Sequence, residues 1–89
     1  MTQKRYAVPD HVIVKKVGED TVILDLQSGI YFGLDPVGTR MIELIQSGLP
    51  LTDVRATILD EYDVPETVLS DDLTDFVDTL LAKNLVEPV

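Results

Sequence analysis

An α+β fold, with a three-stranded antiparallel sheet followed by three helices, follows from three features of this chain. Apolar residues recur at period two up to Leu34 and at helical spacing from Val37 onward. The strand candidates are joined by turns too short for a parallel crossover, so neighbours run antiparallel. Asp35-Pro36 then switches one period into the other, as an N-cap followed by a proline at the first helical position. Runs of strands followed by runs of helices place the helices on one side of the sheet. Eighty-nine residues make a single domain, 1–89, with residues 1–9 expected to be flexible ahead of the first strand.

The first strand covers residues 11 to 17, HVIVKKV. Val12 and Val14 share a face, and Lys15 and Lys16 mark an exposed end. Gly18-Glu19-Asp20 is a turn. The second strand, residues 21 to 27, alternates Val22, Leu24 and Leu26 with Ile23, Asp25 and Gln27. Ser28-Gly29 turns the chain into the third strand, Ile30 to Leu34. Here Ile30, Phe32 and Leu34 lie on one face, and Tyr31 and Gly33 on the other.

The first helix runs from Pro36 to about Ser47 with Val37, Met41, Ile42, Leu44 and Ile45 on its apolar side, and Gly48 stops it. Gly38 in its first turn costs about 1 kcal/mol relative to alanine, so a close backbone approach to the sheet is expected there. The second helix starts near Thr52 as N-cap, with Leu51, Val54, Ile58, Leu59 and Tyr62 as its stripe, and Asp63-Val64-Pro65 breaks it. The third runs from residue 65 or 66 to Lys83 with a wide stripe of Leu69, Leu73, Phe76, Val77, Leu80 and Leu81, and Val68 beside it. Asn84 is its expected C-cap, and Leu85 and Val86 fold back on the core.

Charge and composition exclude several classes of function. Net charge is −9. Lys4, Arg5, Lys15 and Lys16 against Asp10 leave the first 16 residues at +3, while three bases and 15 acids leave the rest at −12. That field repels a nucleic-acid backbone. The alternative from a different class, a winged-helix transcription regulator, needs a basic recognition helix, and the second helix offers only Arg55 against Asp53, Asp60 and Glu61 and the third only Lys83. The chain has no cysteine and one histidine, His11, so no zinc site, disulfide or nucleophile–base pair is expected, and no catalytic residue is assigned. Asp71, Asp75 and Asp78, with Asp72 adjacent, read as a solvated acidic face; a hard cation needs more oxygens than one helix face presents. They also suit a groove wall that selects a partner by charge. No cofactor, signal peptide or membrane span is expected, and the cytoplasm is the default compartment.

The third strand is the strongest lead. Its outward residues, Tyr31 and Gly33, are not the charges or prolines that normally protect a sheet edge. Such an edge suits β-augmentation, in which an extended peptide pairs with the strand and alternate side chains enter pockets. Five strand residues are expected to give four or five backbone hydrogen bonds, with the third helix as the other wall.

The segments LDLQSGIYFGLDPVGTRMIELI (24–45), GLPLTDV (48–54), LDEYDVP (59–65) and FVDTLLAKNLV (76–86) closely resemble the PqqD-like proteins, the stand-alone recognition elements for ribosomally made, modified peptides. The resemblance spans about residues 10 to 88. The D-L-x-S-G-x-Y-F-x-L-x-x-V-G pattern is most similar to the recognition proteins of lasso-peptide biosynthesis; Asp35 stands where many relatives carry asparagine, which caps a helix equally well. The resemblance implies a winged helix-turn-helix-like fold and a non-enzymatic role: the leader of a precursor peptide adds as a fourth strand and is delivered to a leader peptidase, a transglutaminase-like cysteine protease, and then to a macrolactam-forming cyclase. It implies peptide contacts from Ile30, Tyr31, Phe32, Gly33 and Leu34, and from Val68, Leu69, Asp72, Asp75, Phe76 and Thr79 on the third helix, where Leu69 and Phe76 suit either groove or core. A PqqD-type chaperone presenting a precursor to a radical-SAM enzyme is the alternative within the same superfamily.

Overall fold

A computed structural model describes residues 4–89. The elements are β1 (Tyr6–Ala7), β2 (Val12–Val17), β3 (Asp20–Asp25), β4 (Tyr31–Leu34), α1 (Pro36–Gln46), α2 (Leu51–Glu61), α3 (Glu66–Ala82) and β5 (Glu87–Pro88). β2, β3 and β4 form an antiparallel sheet in that order. The α+β arrangement read from the sequence, three antiparallel strands and then three helices, is the one observed.

Two short strands were not expected. β1 pairs antiparallel with β5, Tyr6 opposite Pro88 and Ala7 opposite Glu87. Residues 1–3 lie outside the described part, but residues 4–9 are not a loose lead. Tyr6 is buried in the core, the Lys4 carbonyl accepts from the Leu51 N–H, and the Arg5 carbonyl accepts from Val89. Two-residue strands carry no periodicity, so no pattern announced them.

The sheet meets the helices through Val12, Ile23, Phe32 and Leu34, which pack with Met41, Ile42 and Ile45 of α1 and with the buried stripe of α3: Leu69, Leu73, Val77 and Leu80. In β3 the inward set is Thr21 and Ile23, while Val22 and Leu24 face the far side. β3 ends at Asp25 rather than residue 27. The Asp25 carboxylate accepts from the Gln27 N–H (2.9 Å) and its carbonyl accepts from Gly29 (2.8 Å), which closes the turn two residues early. Gly29 makes that turn at φ 73°, a conformation that only glycine adopts without strain.

Two helix boundaries differ by one or two residues. Pro50, not Thr52, precedes α2, and no side chain caps it. Lys83 closes α3, and Asn84 follows in the left-handed region at φ 58°, the position asparagine tolerates best after glycine. Its carbonyl oxygen meets His11 Nε2 at 3.0 Å, which ties the end of α3 to the start of β2. An Arg40–Glu61 pair, doubly hydrogen-bonded at 2.8 and 2.7 Å, clamps α1 to α2, and Arg55–Glu66 (2.6 Å) clamps α2 to α3.

Candidate functional site

Hydrogen-bond parity identifies which backbone groups of β4 are open. In an antiparallel pair, each residue of the middle strand bonds to one neighbour only, in alternation. Leu26 N–H donates to the His11 carbonyl (2.8 Å), in register with the β2–β3 pairing, so Leu24 and Val22 bond to β2. Asp25 N–H donates to the Ile30 carbonyl (2.9 Å), so Ile23 and Thr21 bond to β4. Phe32 and Leu34, opposite Ile23 and Thr21, therefore point their N–H and C=O groups into the sheet. Tyr31 and Gly33, opposite Leu24 and Val22, point theirs outward.

β4 thus presents four open backbone groups, two each on Tyr31 and Gly33. That is the lower end of the four or five expected, because parity removes Phe32 and Leu34 from the count. Ile30 lies just before the strand; its carbonyl is taken by Asp25, its N–H donates to Ser28 Oγ (3.2 Å), and its side chain is exposed. The opposite edge strand, β2, carries the protective Lys15 and Lys16; β4 has no such guard.

Side-chain direction divides the strand in the same way. Tyr31 is 71% exposed and stands on the outer face in a row with Leu24 and Ile13. Phe32 and Leu34 face the helices and are half-buried. Gly38 brings the start of α1 against the end of β4: a Cβ there would lie 3.2 Å from Asp35 Oδ1 and 3.3 Å from the Leu34 Cβ. The Gly38 N–H donates to Asp35 Oδ1 (2.7 Å), the N-cap bond expected from Asp35-Pro36.

A cavity of about 470 Å³ opens past the Leu34 end of this edge, where Asp35 lines it; none of Ile30, Tyr31, Phe32, Gly33 and Leu34 does. Val68, Leu69, Asp72, Asp75, Phe76 and Thr79 of α3, the whole set expected from that helix, line one wall. They divide by depth. Leu69 is 3% exposed and belongs to the core floor, Phe76 is half-buried and spans core and cavity, and Val68 is 51% exposed at the mouth. Asp35, Val37, Gly38 and Met41 from the β4–α1 corner form a second wall, and Ile58, Tyr62 and Val64 close the end. These seven were not foreseen as site residues, since they come from three segments whose local patterns explain them as cap, stripe or loop.

Lys83, at the C-terminal end of α3, sits over the Phe32 ring with Nζ 4.8 Å from the centroid, while Asp72 and Asp75, two to three turns earlier, share the cavity with Asp35. An open strand edge, an apolar trough beside it and a helix as far wall can hold an extended chain. Chemistry finds little support in the same region. Among the described residues, no group of three or more histidine, cysteine or acidic side chains converges as a metal site, and Asp71, Asp72, Asp75 and Asp78 are exposed.

The family model described as coenzyme PQQ synthesis protein D (PqqD) matches residues 20–86, from the start of β3 to the residue before β5. The chain belongs to the PqqD family. Among solved structures, this PqqD-family chain is similar to TbiB1 in complex with the TbiA(beta) leader peptide, at 36% identity over 91% of this chain and 94% of that one, with a TM-score of 0.85. A lasso peptide synthetase B1 complexed with its leader peptide shares the fold, with a TM-score of 0.85 at 23% identity, over 94% of this chain and 99% of that one. No curated protein matches. The likeness covers more than nine-tenths of the chain in both cases, so the α+β fold expected from the sequence is the fold these structures share.

Proposed function

We propose that this protein binds the leader segment of a ribosomally made precursor peptide by strand addition to β4, as the recognition element of a lasso-peptide pathway. The observation that carries the reading is the open Tyr31–Gly33 edge beside the α3 cavity, in a chain 36% identical to a protein solved with a leader peptide bound. The leader adds as a fourth strand. Its residues opposite Phe32 and Leu34 turn toward α3, because side chains alternate faces along a strand.

The four open groups contribute roughly 2–6 kcal/mol at about 0.5–1.5 kcal/mol each. Ordering a flexible peptide costs about 2–5 kcal/mol. The backbone bonds therefore do little more than offset the loss of freedom, and net affinity comes from apolar side chains buried in the cavity. Ile30, Tyr31, Phe32, Gly33 and Leu34 form the strand side of the site; Val68, Leu69, Asp72, Asp75, Phe76 and Thr79 form the helix side. Of these, Leu69 acts as floor and Ile30 only flanks the edge.

The chain performs no chemistry and needs no cofactor. It holds the precursor for a leader peptidase of the transglutaminase-like cysteine protease class and for the macrolactam-forming cyclase, in the cytoplasm. No described helix is long and apolar enough to cross a membrane. Presentation to a radical-SAM enzyme is less well supported, since both similar structures carry leader peptides of TbiA(beta) or lasso type.

Titration of fluorescently labelled TbiA(beta) leader peptide with the purified protein tests the reading. Saturable binding, competed by unlabelled leader and not by a scrambled peptide, is expected. Binding that the scrambled peptide competes equally well, or no saturable binding either to this leader or to the precursor encoded beside the gene, would overturn it.

A further inference from the structure

The groove carries opposite charges at its two ends. After residue 17 the chain has three bases, Arg40, Arg55 and Lys83. Arg40 is held by Glu61 and Arg55 by Glu66, while Lys83 lies over Phe32 at the Tyr31 end of β4. At the Leu34 end, Asp35, Asp72 and Asp75 line the cavity, and among the described residues none of the three is in a salt bridge. The ends are about 10 Å apart along the strand, from Phe32 to Asp35, and about 12 Å along the helix, from Asp75 to Lys83. That exceeds the screening length of about 8 Å at physiological ionic strength, so each end acts on different residues of a bound strand.

We infer, resting on the leader-binding reading above, that the groove reads charge along its length: it takes an extended peptide whose cavity-seated apolar residue is flanked by a lysine or arginine, and whose opposite end, beside Phe32 and Lys83, is acidic. A basic side chain at the cavity mouth lays its aliphatic stem along Val68 and Phe76 and brings its head into the field of the carboxylates that line the cavity, of which no three converge on one point. An acidic side chain there meets only like charge. At the other end a carboxylate competes for Lys83 with the Phe32 ring face, a weak hold of about 0.5–1 kcal/mol for an exposed cation. Charge therefore fixes direction and register, which four backbone bonds and one apolar anchor leave loosely defined.

The test is a lysine scan and a glutamate scan of the TbiA(beta) leader peptide, one position at a time, read by fluorescence anisotropy at physiological ionic strength, where the two ends are screened from one another. Three proteins are compared: the natural chain, a D35N/D72N/D75N variant and Lys83→Met. Asparagine keeps the capping oxygen at position 35, and 72 and 75 are exposed, so melting temperature checks that the variants are folded. In the natural chain, lysine at one or two adjacent positions should tighten binding about 3- to 10-fold and glutamate there should weaken it similarly. Both effects should vanish in the triple variant. Glutamate at the opposite end should tighten binding to the natural chain and not to Lys83→Met. A flat scan, or one unchanged in the triple variant, overturns the charge inference and leaves leader binding standing. Failure of the unsubstituted leader, of every scan peptide and of the precursor encoded beside the gene to bind overturns both.

Discussion

Proline at position 31 separates the open edge from the folded sheet. Tyr31 N–H points out of the β3–β4 ladder, and the side chain is 71% exposed, so neither a sheet hydrogen bond nor core packing is lost when it is replaced. Proline is tolerated where the N–H faces away from the sheet, and fixing φ near −65° costs folding about 1 kcal/mol or less at an edge. Binding loses a backbone hydrogen bond worth about 0.5–1.5 kcal/mol, and the ring also obstructs the incoming strand, for a total of about 1–2 kcal/mol or 5- to 30-fold in Kd. Phe32→Pro is the contrast. Its N–H faces β3 and its ring lies on the core side, so folding should drop by about 3 kcal/mol or more. Urea denaturation gives the folding term and calorimetric titration with the leader peptide gives the binding term. If Tyr31→Pro weakens folding as much as binding, or leaves binding unchanged, the parity assignment is wrong.

Four further outcomes follow from the packing. Val68→Asp should leave stability within about 0.5–1 kcal/mol, because the residue is half exposed, and weaken leader binding at least about tenfold, whereas Leu69→Ala should destabilise by about 2–4 kcal/mol through its buried position; denaturation and titration run side by side distinguish them. Asp35→Ala should lower stability by about 1 kcal/mol through loss of the bond to Gly38 N–H, with Asp35→Asn near neutral, read from urea midpoints. Gly38→Ala should fail to deliver its helix-propensity gain of about 1 kcal/mol, because the new methyl presses on Asp35 and Leu34; a full gain in the same assay would show that the corner has slack. The Arg40 guanidinium hydrogen-bonds Glu61 and holds it below its ordinary value, and the Gln27 N–H does the same for Asp25. Both groups add stability above the ordinary carboxylate range and lose it as pH falls through their depressed values. The melting temperature should therefore be nearly flat from about pH 7 to 5 and fall below about pH 4, less steeply in Glu61→Gln.

Much of this architecture was legible because local signals agreed with the global fold. Asp35-Pro36 reads as strand end, cap and first helical turn at once, and the structure uses all three. Gly48 and Asn84 end helices by the left-handed conformation they tolerate. Other parts were hidden for physical reasons. β1 and β5 are each two residues long and are held by tertiary contacts, the buried Tyr6 and the backbone bonds to Leu51 and Val89, that no local pattern announces. The inward face of β3, Thr21 and Ile23, is less apolar than its outward face, so periodicity could not choose between them. On α3 the apolar stripe runs unbroken from the buried Leu73 and Val77 to the half-buried Phe76, and only the position of α1 and α2 separates floor from groove. Met41, Ile58 and Tyr62 line the cavity through tertiary placement alone; Met41 and Ile58 are already accounted for as core residues of α1 and α2, and Tyr62 as the half-buried residue that caps α2.

Amide exchange at Tyr31 and Gly33 gives the most direct test of the open edge. In the free protein both amides should exchange faster than those of Phe32 and Leu34, which are held in the ladder. Saturating leader peptide should slow Tyr31 and Gly33 selectively, and leave Phe32 and Leu34 as they were. Protection at Tyr31 and Gly33 before any peptide is added, or no change there when leader binds, would contradict strand addition at β4.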